Sequence, residues 1–179
     1  MPRPRRNAPG AASPGPDVVV NGADARFMAR AVTLARRGWY STRPNPRVGC
    51  VLVRDGRVIG EGWHARAGAL HSEVAALAAA RAAGEDPAGA SAFVTLEPCS
   101  HHGRTPPCAE ALIAAGIARV VYGHEDPNPR VSGRGIALLQ GAGIETAGPV
   151  LEGDARALNP GFLMRAACGR PYVRVKVAM

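Results

Sequence analysis

Apolar residues recur along this chain with two different periods. Between Ala23 and Gly38 they fall three and four positions apart, which predicts an amphipathic helix that ends at Gly38. The positions that define this stripe are Phe27, Ala31, Leu34 and Ala35. Val48–Val53 is instead a continuous apolar run, which is typical of a buried strand, and Asp55-Gly56 after it is a hairpin signal. Arg57–His64 then returns as the partner strand.

The remaining pattern alternates helices with short apolar strands. The predicted helices cover 71–83, 105–115, 133–140 and 151–167, and the predicted strands cover 90–96, 118–122 and 144–146. A hairpin followed by strand–helix units predicts an α/β fold with a mixed sheet and helices on both faces. Right-handed crossovers would place the strand-to-helix loops along one edge of that sheet.

The two ends of the chain have other patterns. Residues 1–22 are rich in Pro, Gly and Arg and lack apolar periodicity, which predicts a disordered tail. At the other end Val173, Val175 and Val177 alternate with polar or aromatic residues, which predicts a strand that needs a pairing partner. We therefore divide the chain into a tail (1–22), a central domain (23–149) and a C-terminal helix and strand (150–179).

Composition limits the class of protein. A chain of 179 residues with 46% hydrophobic residues is long enough for one domain with a sizeable core. It has neither an apolar run long enough to span a membrane nor a secretory hydrophobic region, so we expect a cytoplasmic protein. The net charge of +8 fits a nucleic acid, an anionic small substrate or solvated arginine-rich faces, and charge alone does not separate these.

Candidate chemistry lies at the start of two predicted helices. His71-Ser72-Glu73 heads one of them, and a loop that holds Pro98-Cys99 and ends at Cys108 precedes the other. H-x-E followed by P-C-x-x-C is the pattern of zinc deaminases. In this chain the second cysteine lies nine positions after the first rather than three.

One imidazole and two thiolates form a ligand set for Zn²⁺. Three protein ligands leave a fourth position for water, which is typical of catalytic zinc, and Glu73 is placed to move protons beside it. The alternative is a closed structural zinc site whose fourth ligand is His101, His102 or Cys168.

The interval between the cysteines is polar and contains His101, His102 and Arg104. Because the proposed metal ligands tether this loop at both ends, we expect its side chains to lie near a substrate. An arginine there suits a phosphate or a carbonyl edge.

Several stretches together match one known pattern. They are Pro44-Asn45-Pro46-Arg47-Val48-Gly49-Cys50-Val51, His64, His71-Ser72-Glu73-Val74, Leu96 to Cys108 and Asp126-Pro127-Asn128-Pro129. From Ala23 onward the chain resembles the deaminase half of the bifunctional riboflavin-biosynthesis deaminase/reductases. The resemblance implies a three-layer α/β/α cytidine-deaminase-like fold with a mixed sheet of about five strands. It also implies zinc at His71, Cys99 and Cys108, with Glu73 as the proton shuttle.

The same resemblance implies a substrate and its contacts. The substrate would be 2,5-diamino-6-ribosylamino-4(3H)-pyrimidinone 5′-phosphate, whose C2 amino group is hydrolysed to a carbonyl with release of ammonia. The product would be 5-amino-6-ribosylamino-2,4-pyrimidinedione 5′-phosphate. The residues implied to hold the base, ribose and phosphate are Asn45, His64, His101, Arg104, Asp126 and Asn128.

Two features depart from the family. Ser72 stands where the family usually has alanine, a change that we expect to be tolerated. The family also continues into a reductase domain that uses a nicotinamide cofactor, whereas 170–179 resembles only the first strand of that domain. We therefore expect that the chain forms a homo-oligomer or binds a separate reductase. We expect it to bind neither nucleic acid nor a membrane.

Three other functions stay open. A deaminase of cytidine, a deoxynucleotide or a tRNA adenosine is disfavoured by the long cysteine interval, and aromatic residues for stacking on nucleic acid make up only 4% of the chain. The others are a catalytically silent zinc-binding module and a deaminase of a related pyrimidine in a specialised pathway.

Overall fold

The computed structural model describes residues 21–101, 106–128 and 131–178. The helices are α1 (Gly22–Arg36), α2 (Ser72–Ala82), α3 (Cys108–Ala114), α4 (Arg134–Gly141), α5 (Glu152–Ala157) and α6 (Pro160–Cys168). The strands are β1 (Gly49–Arg54), β2 (Arg57–Trp63), β3 (Ser91–Val94), β4 (Arg119–Tyr122) and β5 (Glu145–Ala147).

The five strands form one mixed sheet in the order β2-β1-β3-β4-β5. β1 is antiparallel to both β2 and β3, whereas β3, β4 and β5 are parallel. The ends of β2, β3 and β4 and the start of β1 therefore lie at the same edge of the sheet. The predicted mixed five-stranded α/β fold is confirmed.

Helices cover both faces of the sheet and give the molecule three layers. On one face α2, α3 and α4 pack over a core that includes Leu52, Leu112 and Leu139. On the other face α1 packs over a core that includes Met28 and Phe93. Burial of these side chains is the main driving force that holds the layers together.

Two glycines of β2 let α2 approach the sheet closely. A Cβ at Gly62 would lie 2.3 Å from the carbonyl oxygen of Ser72, and one at Gly60 would lie 2.5 Å from that of Ala76. Only glycine permits such backbone contacts. They fix the first turn of α2 above the sheet, and this turn carries the H-x-E motif.

The single helix predicted over 151–167 is wrong, because the chain forms α5 and α6 there. Pro160 supplies no backbone N–H and disfavours helical geometry at the preceding residue. Asn159 accordingly has φ −132° and ψ 42°. Leu158 at the break is buried against Val32 and Ala35 of α1.

The predicted tail and the predicted C-terminal strand lie at the two ends of the chain. Residues 1–20 of the predicted tail lie outside the described residues, and α1 begins at Gly22 after an Asn21 cap. The predicted C-terminal strand forms no ladder with a described strand, and Val173, Val175 and Val177 stay 75–78% exposed. Pairing of this segment with another chain stays a prediction, as do the domain boundaries.

Candidate active site

Three metal-ligating side chains meet at the sheet edge where the loops converge. His71 is the N-cap of α2, Cys99 lies in the loop after β3, and Cys108 is the first residue of α3. His71 Nδ1 lies 3.1 Å from Cys108 Sγ and 3.6 Å from Cys99 Sγ. All three ligand atoms lie within 4.8 Å of one another.

This cluster fits zinc in its donors and in its spacing. Zn–S and Zn–N bonds of ordinary length, arranged tetrahedrally, place a sulfur and a nitrogen ligand about 3.6 Å apart. The separation from Cys99 Sγ, 3.6 Å, equals that value, and the separation from Cys108 Sγ, 3.1 Å, is shorter. Of the residues considered as a fourth ligand, His101 and Cys168 are exposed and outside the cluster, and His102 lies outside the described residues.

The sulfur atoms of Cys99 and Cys108 differ in their pKa when the protein is considered alone. The backbone N–H of Cys108 donates to Cys99 Sγ over 3.2 Å. The neighbouring Cys108 thiol and the His71 ring, together with this N–H, lower the pKa of Cys99 to about 4. The Cys99 thiolate and burial raise the pKa of Cys108. Cys99 is therefore a thiolate at neutral pH, and a bound cation would displace the remaining thiol proton from Cys108.

Glu73 lies in the first turn of α2 and is almost completely buried. Burial and the nearby Cys99 charge raise its pKa. Its Oε2 accepts a hydrogen bond of 2.8 Å from the Ser72 hydroxyl, a donor that alanine would not supply. A carboxyl group whose pKa is moved toward neutrality can both take up and release a proton.

A cavity of about 580 Å³ opens in front of these residues. Every predicted substrate-binding residue that the structure describes lines this cavity. They are Asn45, His64, His101, Asp126 and Asn128. Arg104 lies outside the described residues. Loops from four parts of the sequence thus meet at one site, and their substrate contacts stay predictions.

His64 fixes the orientation of the Asn45 amide. His64 Nδ1 lies 3.0 Å from the carbonyl oxygen of Leu70, which can only accept, so Nδ1 carries the proton. Nε2 then accepts from Asn45 Nδ2 over 3.1 Å. Burial lowers the pKa of His64, which favours this neutral form. Asn45 Oδ1 is left as an acceptor that bonds to no described residue.

Glu97 directly precedes Pro98-Cys99 and lines the cavity, although no role was predicted for it from the sequence. Its buried carboxylate accepts hydrogen bonds from the backbone N–H groups of Asp126, Gly133 and Gly135, over 3.1, 3.1 and 2.9 Å. These bonds hold the loop of Asp126 beside the cysteine loop. Phe162 of α6 also lines the cavity and was likewise not predicted.

The family profile described as the cytidine and deoxycytidylate deaminase zinc-binding region matches residues 22–124, which is more than half of the chain. The chain belongs to this deaminase family. Its matched region holds the cluster of His71, Cys99 and Cys108. The zinc-binding description therefore agrees with the donor set that the fold brings together.

Two individual proteins show which members of the family this chain is similar to. The chain is 57% identical to the riboflavin biosynthesis protein RibD of Escherichia coli K12 over 154 residues, 86% of this chain and 41% of that protein. It is 47% identical to the diaminohydroxyphosphoribosylamino-pyrimidine deaminase of Buchnera aphidicola, covering 83% of this chain and 99% of that protein. The predicted resemblance to riboflavin-biosynthesis deaminases is confirmed.

A solved structure supports the fold as well. The diaminohydroxyphosphoribosylaminopyrimidine deaminase/5-amino-6-(5-phosphoribosylamino)uracil reductase of Thermotoga maritima is 46% identical, with a TM-score of 0.80. The match covers 84% of this chain and 43% of that one. The chain thus spans about two fifths of the length of these two larger relatives, the Escherichia coli RibD and the Thermotoga maritima deaminase/reductase. Among the described residues no helix is both long and apolar enough to cross a membrane.

Proposed function

We propose that this chain is a zinc-dependent deaminase of 2,5-diamino-6-ribosylamino-4(3H)-pyrimidinone 5′-phosphate. Water would replace the C2 amino group with a carbonyl oxygen, releasing ammonia and 5-amino-6-ribosylamino-2,4-pyrimidinedione 5′-phosphate. The observation that carries the proposal is the buried Glu73 carboxyl beside the cluster of His71, Cys99 and Cys108. Glu73, His71 and Cys99 line one cavity. The near full-length match to the Buchnera deaminase supports this substrate.

His71, Cys99 and Cys108 would hold the zinc ion. Zinc at such a site acts as a Lewis acid that makes water nucleophilic near neutral pH. Glu73 would take one proton from the attacking water as its oxygen bonds to C2, and would pass it to the ring nitrogen N1. It would then take the second proton from the hydroxyl group now on C2 and deliver it to the departing nitrogen as the C–N bond breaks, which leaves the carbonyl and ammonia. The raised pKa of Glu73 suits both transfers.

Asn45 would orient the pyrimidine. Because its Nδ2 is engaged by His64, it offers Oδ1 to the cavity. An acceptor at this point suits an N–H or amino group of the substrate ring. Asp126 and Asn128 line the same cavity and would contact the ribose or the base.

The phosphate would be bound by the loop between the two cysteines. His101 lines the cavity, and Arg104 lies three residues further along the loop. A guanidinium can make two parallel hydrogen bonds to a phosphate, which gives both charge and geometry.

We further infer a setting and a partner. Cys50, Cys99, Cys108 and Cys168 are all free thiols, which fits a reducing compartment such as the cytoplasm. Because the bifunctional relatives carry a reductase activity, the deaminated product would pass to a reductase. The exposed segment Val173–Val177 would serve as a contact with that domain or with a second copy.

The test is a comparison of substrates. Zinc-loaded protein is offered the phosphorylated diaminopyrimidine, its dephosphorylated form, cytidine and deoxycytidylate, and ammonia is measured. The proposal predicts the highest kcat/KM for the phosphorylated diaminopyrimidine. A higher value for cytidine or deoxycytidylate would assign the chain to another deaminase activity, and no ammonia from any substrate would favour the silent zinc-binding module.

A further inference from the structure

Asn159 forms an unusual pair of hydrogen bonds with the loop that carries Asn45. Its Oδ1 accepts from the backbone N–H of Arg47, and its Nδ2 donates to the carbonyl oxygen of the same residue, each over 2.8 Å. Asn159 is 3% exposed, so water does not compete effectively for either bond. The side chain thus satisfies both backbone groups of a residue 112 positions away.

This contact fixes the backbone two residues after Asn45. On the other side of Asn45, its own N–H donates to the carbonyl oxygen of Thr42 over 2.8 Å. Pro44 and Pro46 flank Asn45, and each proline restricts its own φ. A short stretch held at both ends and stiffened by two prolines has little freedom, and so the Asn45 amide keeps its place in the cavity.

The helix that follows Asn159 also reaches the cavity. Phe162, one turn into α6, is half-buried and lines it. The start of α6 is anchored on one side by Leu158, which packs against α1, while Leu163 is buried without lining the cavity. One short segment therefore presents a positioning group and an aromatic wall.

We propose that the segment Asn159–Phe162 is part of the substrate site of this deaminase. Asn159 is a positioning residue that holds Asn45 through the backbone of Arg47, and Phe162 contacts the bound pyrimidine nucleotide. This inference rests on the proposed function. It moves the end of the catalytic unit beyond residue 149, where sequence patterns placed the boundary, and beyond residue 124, where the family profile ends.

Four substitutions test the two roles by their effect on KM. Asn159→Asp keeps the size of the side chain and an acceptor for the Arg47 N–H, but loses the donor to the Arg47 carbonyl. Phe162→Ala removes the aromatic wall, and Phe162→Leu restores much of its apolar surface. Leu163→Ala is the matched control, because it weakens the packing of the same helix without touching the cavity.

Asn159→Asp should raise KM about tenfold, the scale of a lost buried hydrogen bond, with a smaller change in kcat. Phe162→Ala should raise KM about 5- to 150-fold, the scale of an aromatic contact with a base, and Phe162→Leu should recover part of that loss. Zinc content should stay that of the wild type in every variant. Leu163→Ala should lower the Tm and leave KM unchanged.

Hydrogen exchange provides a readout that does not depend on turnover. In Asn159→Ala, which removes both hydrogen bonds to Arg47, the peptide containing Arg47 should exchange faster than in the wild type or in Leu163→Ala. If wild-type protein deaminates no pyrimidine, the proposed function fails, and exchange still decides the role of Asn159. Unchanged exchange at Arg47 would overturn that role. A KM in Leu163→Ala that rises as much as in Phe162→Ala would overturn the contact assigned to Phe162.

Discussion

Replacing Glu97 by glutamine should loosen the loop that carries Asp126. The carboxylate accepts four backbone hydrogen bonds: Oε2 accepts from Asp126 and Gly133, and Oε1 from Gly135 and Ile136 over 2.9 and 3.4 Å. The last two N–H groups belong to the first turn of α4, whose N-terminus favours a negative charge. Glutamine has the same shape but offers one acceptor oxygen instead of two.

The geometry sets the size of the effect. Whichever way the glutamine amide is turned, two backbone N–H groups lose their acceptor and face an NH₂ group. Leaving a buried donor unsatisfied costs about 1–3 kcal/mol. Gly133 and Ile136 are partly exposed and can recover a bond to water, so we expect a total loss of about 2–4 kcal/mol in the free energy of unfolding. For a chain of this size that corresponds to a fall in Tm of about 4–16 °C.

The assay is thermal unfolding of zinc-loaded protein, with KM measured beside it. Glu125→Gln is the matched control, because it makes the same chemical change on an exposed side chain next to Asp126. Glu97→Gln should lower the Tm and raise KM, while Glu125→Gln should do neither. Equal Tm values for the two variants would refute the assignment of Glu97 as the group that holds this loop.

The remaining predictions concern the metal, the pH dependence of stability and the phosphate. Wild-type protein should hold about one zinc ion per chain, and Cys99→Ser or Cys108→Ser should lose it, because thiolate is the ligand. Full zinc occupancy of both variants in elemental analysis would contradict the proposed site. The guanidinium of Arg119 donates to both carboxylate oxygens of Asp24 and lowers the pKa of that buried carboxyl. The ion pair therefore contributes fully to the free energy of unfolding above the pKa of Asp24 in the unfolded chain, about 4. That contribution is lost as the pH falls through the lower pKa of the folded state. In urea unfolding, Asp24→Asn should lower the free energy of unfolding by about 3 kcal/mol at pH 7 and by less in acid. A loss of the same size in acid would contradict the link between the Asp24 pKa and stability. Arg104→Ala should raise KM for the phosphorylated substrate more than for its dephosphorylated analogue, whereas equal losses would place Arg104 against the base or ribose.

The catalytic centre could be predicted from sequence because its chemistry is local. His71 and Glu73 lie two positions apart at the start of α2, and the cysteines bracket one loop. Donor types and helix starts were enough to indicate that these groups converge. The parallel strands β3 and β4 then brought the loops of Cys99 and Asp126 to one edge, as the order of elements implied.

The supporting contacts could not be predicted because they join distant parts of the chain. Asn159 and Arg47 are 112 positions apart, and neither has a periodic pattern that links it to the other. The helix break at Pro160 was missed because the apolar pattern continues from α5 into α6 while the backbone does not. The valines near the C-terminus alternate as a strand would, but alternation alone supplies no pairing partner.

The central claim is that Glu73 moves the proton in a deamination at the cluster of His71, Cys99 and Cys108. The most direct measurement compares zinc-loaded wild-type protein with Glu73→Gln on the phosphorylated diaminopyrimidine, following ammonia and the mass of the pyrimidine product. We predict one ammonia for each amino group replaced by oxygen in the wild type. Glu73→Gln should keep its zinc and lose roughly 10²–10⁴-fold in kcat. Wild-type protein that binds zinc and substrate without releasing ammonia, or a glutamine variant with undiminished turnover, would contradict the claim.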